Sequence, residues 1–100
     1  MESRTLRHRF VLTNRQGLHM RPCGALAAAA GRFQSKVTVS RPGREVDGKS
    51  ILDLMTLGAP QGTELTIEVE GPDAADALDA LRAVFDRVAR GEFEEKDESV

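Results

Sequence analysis

Segments that read as strands and helices follow one another along this chain in an order that few folds accommodate. Residues 64–70 alternate between apolar and polar side chains, as expected of a strand with one buried face. Residues 36–41 and 44–47 read as two more strands, joined by a Pro-Gly turn. Residues 5–13 read as a strand near the start of the chain. A sheet of four strands is therefore predicted.

Three helices are predicted between and after these strands. Proline lacks an amide hydrogen and fits the first turn of a helix, so Pro22 marks the start of the first one. Its apolar face has helical spacing and consists of Cys23, Leu26, Ala27, Ala30 and Phe33. A short helix is predicted between Ser50 and Gly58, and a long one is capped by Asp73 with Asp76. The stripe of this last helix consists of Ala77, Leu78, Leu81, Val84, Phe85 and Val88.

The predicted element order is βαββαβα, which places the chain in the α+β class. Elements in this order pack as two layers, with the three helices on one face of a four-stranded, mostly antiparallel sheet. The chain has 100 residues, of which 40% are apolar and 4% aromatic, so it can bury one modest, mainly aliphatic core. We expect one domain over residues 1–91 and an acidic, disordered tail over residues 92–100.

Charge and composition favour protein partners over nucleic acid or membrane. The formal net charge is −2, but residues 92–100 carry five acids and one lysine, so the rest of the chain stands at +2. With no Trp or Tyr, the strands lack the aromatic platform that an RNA-binding sheet needs. There is no long apolar run and no signal-peptide pattern, so we expect a cytoplasmic protein that does not insert into membranes.

The single cysteine and the first histidine offer little scope for thiol or metal chemistry. Cys23 has no second cysteine with which to form an intramolecular disulfide, and its place on an apolar face predicts a packing role. His8 alternates with apolar residues in the first strand and is expected to be partly buried. An isolated histidine makes no metal site, so neither a metal nor a cofactor is predicted.

The stretch Gly17-Leu18-His19-Met20-Arg21-Pro22 places an imidazole just ahead of the first predicted helix. Free amide groups and the helix dipole make such a terminus a site for anions, and the Arg21 guanidinium can bind phosphate oxygens. A phosphoryl group on His19 would be stabilised there. Taken alone, so short a string is weak evidence, because a surface histidine near a helix start is usually only solvated.

A cluster of apolar side chains on the short second helix is expected to face solvent. On a helical wheel Leu54 and Leu57 share one side, and the other cluster consists of Ile51, Leu52 and Met55. A domain of this size cannot easily bury both groups, and an exposed Ile/Leu/Met cluster is typical of a surface that docks a protein partner. The alternative is a helix buried between two layers.

Four segments at compatible spacings carry a resemblance to a known family. They are Gly17 to Pro22, the segment from Gly48-Lys49-Ser50-Ile51 to Leu57-Gly58, the segment Gln61-Gly62-Thr63-Glu64-Leu65-Thr66-Ile67, and Gly71-Pro72-Asp73 with the helix after it. Together they resemble HPr, the histidine-containing phosphocarrier family of the bacterial phosphotransferase system. The resemblance covers nearly the whole chain except its first few residues and its tail. It implies an open-faced β-sandwich and a monomer that carries phosphate stoichiometrically rather than an enzyme.

The resemblance also implies a role for each matching position. His19 would accept a phosphoryl group on Nδ1 from phosphoenolpyruvate by way of enzyme I, and would pass it to IIA components. Arg21 would bind the phosphoryl oxygens. The surface that docks these partners would consist of Met20, Ile51, Leu52 and Met55.

Ser50 matches the regulatory serine of the family, which a dedicated kinase, HPr kinase/phosphorylase, modifies in many bacteria. It is also the predicted N-cap of its helix, with Asp53 as the reciprocal residue of a capping box, and the two roles can coexist. A phosphate there would regulate binding rather than stability. An alternative is a regulatory paralogue that acts mainly as a protein-binding module. Two departures from the family favour it: Met20 and Cys23 stand where many members have small residues, and Ala27 to Ala30 leaves the first helix almost uncharged.

Overall fold

The computed structural model describes residues 4–95, in which four strands form one sheet and three helices cover it. The strands are β1 (Arg4–Val11), β2 (Lys36–Arg41), β3 (Arg44–Asp47) and β4 (Glu64–Gly71). The helices are α1 (Met20–Gly31), α2 (Ile51–Thr56) and α3 (Ala74–Ala89). This is the predicted α+β open-faced sandwich in the order βαββαβα. Within residues 4–95, no helix has both the length and the apolar character needed to cross a bilayer.

The sheet has the strand order β1-β4-β2-β3, and every neighbouring pair is antiparallel. β4 is central, and its Leu65, Ile67 and Val69 are fully buried. Ile67 lies opposite the buried Val39 of β2, so inward-facing residues of adjacent strands form continuous apolar rows. The intervening residues of β4, such as Glu68, point away from the core. The alternation read in the sequence therefore separates the core from the solvent face.

The helices close the core over the inward face of the sheet. α3 buries all six residues of its predicted stripe, and Ala74 with them. α1 buries Pro22, Cys23, Leu26, Ala29 and Ala30. Two residues of the predicted face of α1, Ala27 and Phe33, are only half-buried. Phe33 lies beyond the end of α1 at Gly31, where helical spacing no longer applies.

Local signals in the sequence locate two helix ends closely. α1 begins at Met20, two residues before the predicted start, so that His19 is its N-cap and Pro22 lies in its first turn. α2 follows Ser50 as its N-cap. Gly58, just after the helix, has φ +61°, the left-handed conformation in which helices commonly end.

Asp73 is the N-cap residue of α3, as predicted, but it does not cap the helix through its side chain. Its carboxylate instead accepts hydrogen bonds from the amides of Gln34 and Ser35, both at 2.9 Å. These two residues belong to the connection between α1 and β2, so the local capping pattern gave way to a contact distant in sequence.

The acidic tail was expected to begin at Glu92, but its first residues pack against the domain. Phe93 is only 8% exposed, and the Arg87 guanidinium lies 4.7 Å from the centre of its ring. Burial of this one aromatic side chain holds residues 91–95, the C-terminal strap, against the domain. The part of the expected tail from residue 96 to residue 100 lies outside the described residues.

Candidate functional site

His19 lies at the N-terminus of α1, as its N-cap, with extended backbone angles of φ −100° and ψ −171°. Its carbonyl accepts the first hydrogen bond of the helix, from the Cys23 amide at 3.0 Å, but its side chain makes no capping hydrogen bond. Pro22 has no amide hydrogen, so the donors of the first turn are the amides of Met20 and Arg21. The sequence motif thus places two main-chain donors and the helix dipole beside the imidazole.

The loop that leads into His19 is held by a close approach at Gly17. Gly17 has φ +64°, and the Leu18 amide donates to the Ala59 carbonyl at 2.9 Å. A Cβ on Gly17 would overlap that carbonyl oxygen and lie 2.8 Å from Pro60 Cα. Only glycine fits this position, because any other residue would have a strained backbone at this φ and its Cβ would collide with main-chain atoms. The position of His19 therefore depends on this contact between two loops.

The His19 side chain is 20% exposed, and its Nε2 atom is buried. Oε2 of Glu94, in the C-terminal strap, lies 3.4 Å from Nε2. Burial of the Glu94 carboxyl raises its pKa, but hydrogen bonds from the Gln16 amide and the Asn14 side chain, together with His19, outweigh this and lower the pKa below its usual value. An ionised carboxylate therefore stands next to the candidate phosphorylatable ring.

The sequence did not point to Glu94. Its segment has the composition of an acidic tail, and Glu94 lies 75 positions after His19, so no local pattern relates the two residues. The one available signal was Phe93, an aromatic residue among acids. Such a residue can anchor a segment whose average composition suggests disorder.

Arg21 is exposed on the first turn of α1, one residue beyond Met20. Among the ion pairs of residues 4–95, none involves Arg21. Its guanidinium is thus available to an anion placed near the helix start. Its bidentate donors suit the oxygens of a phosphoryl group.

Four apolar side chains form an exposed patch, the apolar patch, beside this terminus. Met20 is 61% exposed, Leu52 72%, Met55 40% and Ile51 38%. A Cβ on Gly24 of α1 would lie 3.5 Å from Ile51 Cδ1, so the starts of α1 and α2 are in contact. Met20 is one turn ahead of Gly24 on α1, so it lies on the side of α1 that faces α2.

The other side of α2 is buried, as the helical wheel predicted. Leu54 and Leu57 are both 0% exposed. The alternative of a helix buried on all sides is therefore wrong. Its two apolar sides serve different purposes, because one completes the core while the other remains in contact with solvent.

Ser50 is half-buried at the N-terminus of α2, where its hydroxyl accepts a hydrogen bond from the Asp53 amide at 3.1 Å. The reciprocal half of the predicted capping box is absent, because the Ser50 amide donates to the Asp47 carbonyl at 3.2 Å instead. Ser50 precedes Ile51 directly, so any group attached to its hydroxyl would border the apolar patch.

Cys23 takes no part in the surface of the site. It is fully buried, and its sulfur lies 3.8 Å from the Leu18 carbonyl oxygen. Burial raises the pKa of its thiol to about 11, so the reactive thiolate is disfavoured at neutral pH. The predicted packing role fits this environment.

Comparison with known proteins places the chain among phosphocarriers. Residues 6–87 match the family model described as PTS HPr component phosphorylation site. Phosphocarrier protein HPr of Cupriavidus necator is 45% identical over 82 residues, which cover 81% of this chain and 92% of that protein. Phosphocarrier protein HPr of Xylella fastidiosa is 41% identical over 81 residues, or 81% of this chain and 91% of that protein.

A solved structure shows the same fold. The histidine-containing phosphocarrier protein of Mycoplasma superposes with a TM-score of 0.82 at 32% identity, covering 84% of this chain and 96% of that one. The matched family region begins in β1 and ends in α3. It includes His19, Arg21 and Ser50 but ends before the C-terminal strap.

Proposed function

The chain belongs to the HPr family of the phosphotransferase system, and from this we propose that it carries a phosphoryl group on Nδ1 of His19. It is a phosphocarrier in the sense that its family defines. The proposal adds the residue and the direction of transfer, from enzyme I to IIA components. The observation that carries it is the position of His19 at the N-terminus of α1.

The geometry around His19 supports the chemistry of such a carrier. The Nδ1 lone pair would attack phosphorus in line as the bond from phosphorus to its donor breaks. The amides of Met20 and Arg21 and the helix dipole would stabilise the three phosphoryl oxygens, and the Arg21 guanidinium would bind them from outside the helix. The protein thereby holds a reactive group between two partners and completes no turnover by itself.

The apolar patch supports docking of those partners next to the transferable group. Enzyme I and a IIA component must each bring a reactive centre to the same imidazole, so both would bind the surface around it. Met20 adjoins His19 in the chain, and Leu52 is the most exposed member of the patch. Methionine suits a surface shared by partners of different shape, because its side chain adapts.

Ser50 supports a second, regulatory role for the same surface. We propose that a serine kinase of the HPr kinase/phosphorylase type modifies its hydroxyl. A phosphate at the start of α2 would be compatible with the helix dipole and would leave the fold intact. It would place about two negative charges beside Ile51 and so weaken docking.

The test of carrier function uses purified enzyme I and labelled phosphoenolpyruvate. We expect an acid-labile label on the wild-type protein that is lost in His19→Ala. His8→Ala is the matched control, since it removes the other histidine, which lies in β1, and should leave labelling intact. A label that persists in His19→Ala would contradict the proposal.

A regulatory protein-binding module is the second candidate, and the partial cover of His19 favours it. Only 20% of this side chain is exposed, which restricts access by a phosphoryl donor. This alternative predicts that enzyme I leaves the protein unlabelled while a serine kinase labels Ser50. The reaction with enzyme I therefore separates the two functions, because only the carrier becomes labelled in it.

A further inference from the structure

The C-terminal strap returns the chain to His19 after α3. Gly91 has φ +77°, a left-handed conformation that turns the chain out of the helix. Phe93 is then buried, and the Arg87 guanidinium lies over its ring. The Glu94 amide donates to the Gly91 carbonyl at 3.1 Å. The turn at Gly91 and the buried Phe93 together fix the direction in which the Glu94 side chain extends from the backbone.

The strap is joined to the loop before His19 by reciprocal hydrogen bonds with Gln16. The Gln16 amide donates to Glu94 Oε1 at 2.9 Å, and the Glu95 amide donates to the Gln16 side-chain oxygen at 2.8 Å. The Asn14 side-chain amide donates to Glu94 Oε2 at 3.3 Å and to the Gly17 carbonyl at 2.8 Å. Both carboxylate oxygens of Glu94 are therefore oriented by donors from this loop.

The oriented carboxylate faces the buried nitrogen of the imidazole. Glu94 Oε2 is 3.4 Å from His19 Nε2, and within residues 4–95 Nε2 has no partner in hydrogen-bonding geometry. A small rotation of the Glu94 side chain would complete an N–H···O bond. An unprotonated Nε2 would instead present a lone pair to an ionised carboxylate, and both groups could then only accept. This environment favours the ring form with its proton on Nε2.

We propose that Glu94 is a positioning residue for His19, which holds the proton on Nε2 and leaves the lone pair of Nδ1 for the phosphoryl group. During transfer Nδ1 would donate its electron pair to phosphorus as the bond to the donor breaks, and the Nε2 proton would stay beside the carboxylate. This inference rests on the proposed function of His19. It extends that function to a residue outside the matched family region, which ends at residue 87.

The experiment measures the tautomer of His19 in the full chain, labelled with ¹⁵N, at pH 8. The two ring nitrogens resonate far apart when one carries the proton and the other does not, so their shifts report the tautomer without any phosphoryl donor. We expect the Nε2–H form to dominate in the wild type. In Glu94→Ala the ratio of the Nε2–H to the Nδ1–H form should fall about five- to tenfold, the equivalent of one net hydrogen bond.

Two further variants show whether the tautomer depends on the carboxylate at position 94 itself, on the net charge of the strap or on side-chain packing. Glu95→Ala removes the same charge one residue later but keeps the main-chain hydrogen bond to Gln16, and it should leave the tautomer unchanged. Glu94→Leu retains side-chain bulk in the strap, and it should shift the tautomer as Glu94→Ala does. An amide correlation spectrum matching the wild type confirms that each variant is folded.

The rate of phosphoryl transfer from enzyme I provides the second readout. Both Glu94 variants should accept phosphate about five- to tenfold more slowly, while Glu95→Ala matches the wild type. An unchanged tautomer in both Glu94 variants would overturn the proposal, and so would faster transfer, which would mark Glu94 as a cover that excludes the donor. If the wild type accepts no phosphate, the proposed function fails, whereas the tautomer result remains a separate test of Glu94.

Discussion

The amide and the hydroxyl of Ser35 both donate hydrogen bonds to the same carboxylate oxygen of Asp73. The Gln34 amide donates to the other oxygen, so one carboxylate joins the α1–β2 connection to the start of α3. Ser35 is 1% exposed and packs on Gly71, where a Cβ would lie 2.7 Å from Ser35 Cα. This contact fixes the end of the domain remote from His19 without using any apolar group.

These hydrogen bonds should make stability depend on pH. The Ser35 hydroxyl, and after it the Gln34 amide, hold the pKa of Asp73 below its usual value. Above the pKa of about 3.9 that Asp has in the unfolded chain, the ionised carboxylate makes its full contribution to the stability of the folded protein. This contribution is lost as the pH falls through the lower pKa of the folded state. We expect Asp73→Asn to be less stable than the wild type at neutral pH, with a difference that shrinks in acid.

Thermal unfolding of wild type and variant between neutral pH and about pH 2 checks this. Asp76→Asn is the control, because Asp76 is an exposed acid in the first turn of the same helix. A stability difference for Asp73→Asn that stays constant over this range would show that its ionisation is not the source.

Gly17→Ala should both destabilise the protein and slow phosphoryl transfer. The substitution forces an alanine into φ +64° and drives its Cβ into the Ala59 carbonyl, which would displace the loop before His19. We expect a loss of about 1 to 3 kcal/mol in the free energy of unfolding, measured with urea. Gly43→Ala is the matched control, since Gly43 has φ +85° but nothing within 4 Å of a Cβ. It should share the backbone strain and keep normal transfer.

The two apolar sides of α2 should respond differently to truncation. Leu54→Ala removes a side chain that is 0% exposed and should cost about 2 to 5 kcal/mol of unfolding free energy. Leu52→Ala removes one that is 72% exposed, so stability should change by less than about 0.5 kcal/mol. Binding of enzyme I, followed by calorimetry, should weaken in Leu52→Ala. Undiminished binding would exclude Leu52 from the docking surface.

Substitutions at Ser50 should separate its capping role from regulation. Ser50→Ala loses the acceptor for the Asp53 amide and should destabilise the protein by about 1 kcal/mol. Ser50→Asp keeps an N-cap acceptor and adds negative charge, so it should retain stability and weaken binding of enzyme I. Chemical denaturation and the same binding assay measure the two effects. Tight binding by Ser50→Asp would argue against electrostatic regulation at this position.

Arg21→Ala should slow transfer with little effect on folding. The side chain is exposed, so the free energy of unfolding should change by less than about 0.5 kcal/mol. Hydrogen bonds to a charged group contribute about 1.5 to 3 kcal/mol, so phosphoryl acceptance should slow roughly 10- to 100-fold. Arg32→Ala, an exposed arginine at the opposite end of α1, is the control and should transfer normally.

Features set by neighbouring residues were predictable from the sequence. Pro22 restricts where a helix can start, Ser50 and Gly58 define the ends of α2, and helical spacing divides its apolar residues into buried and exposed sides. These effects act within about two turns of the chain. They gave the element order and hence the layered architecture.

Features set by contacts distant in sequence were not predictable. Asp73 has the local context of an N-cap, and only the folded chain brings Ser35 close enough to compete for its carboxylate. Glu94 has the local context of an acidic tail, and its relation to His19 depends on the packing of Phe93. In both cases a carboxylate accepts hydrogen bonds from amides that are far away in the sequence, and the pattern of neighbouring residues gives no sign of such a contact.

The contact between Glu94 and His19 has a practical consequence for how the protein is handled. Glu94 and Glu95 belong to a strap that is hydrogen-bonded to the loop before His19, so a probe attached to either side chain would lie near the imidazole and disturb the behaviour under test. β1 starts at Arg4, opposite Gly71, and runs for eight residues before the chain approaches His19. Fluorophores should therefore be attached at the exposed start of β1, at Arg4 or Thr5, rather than in the strap.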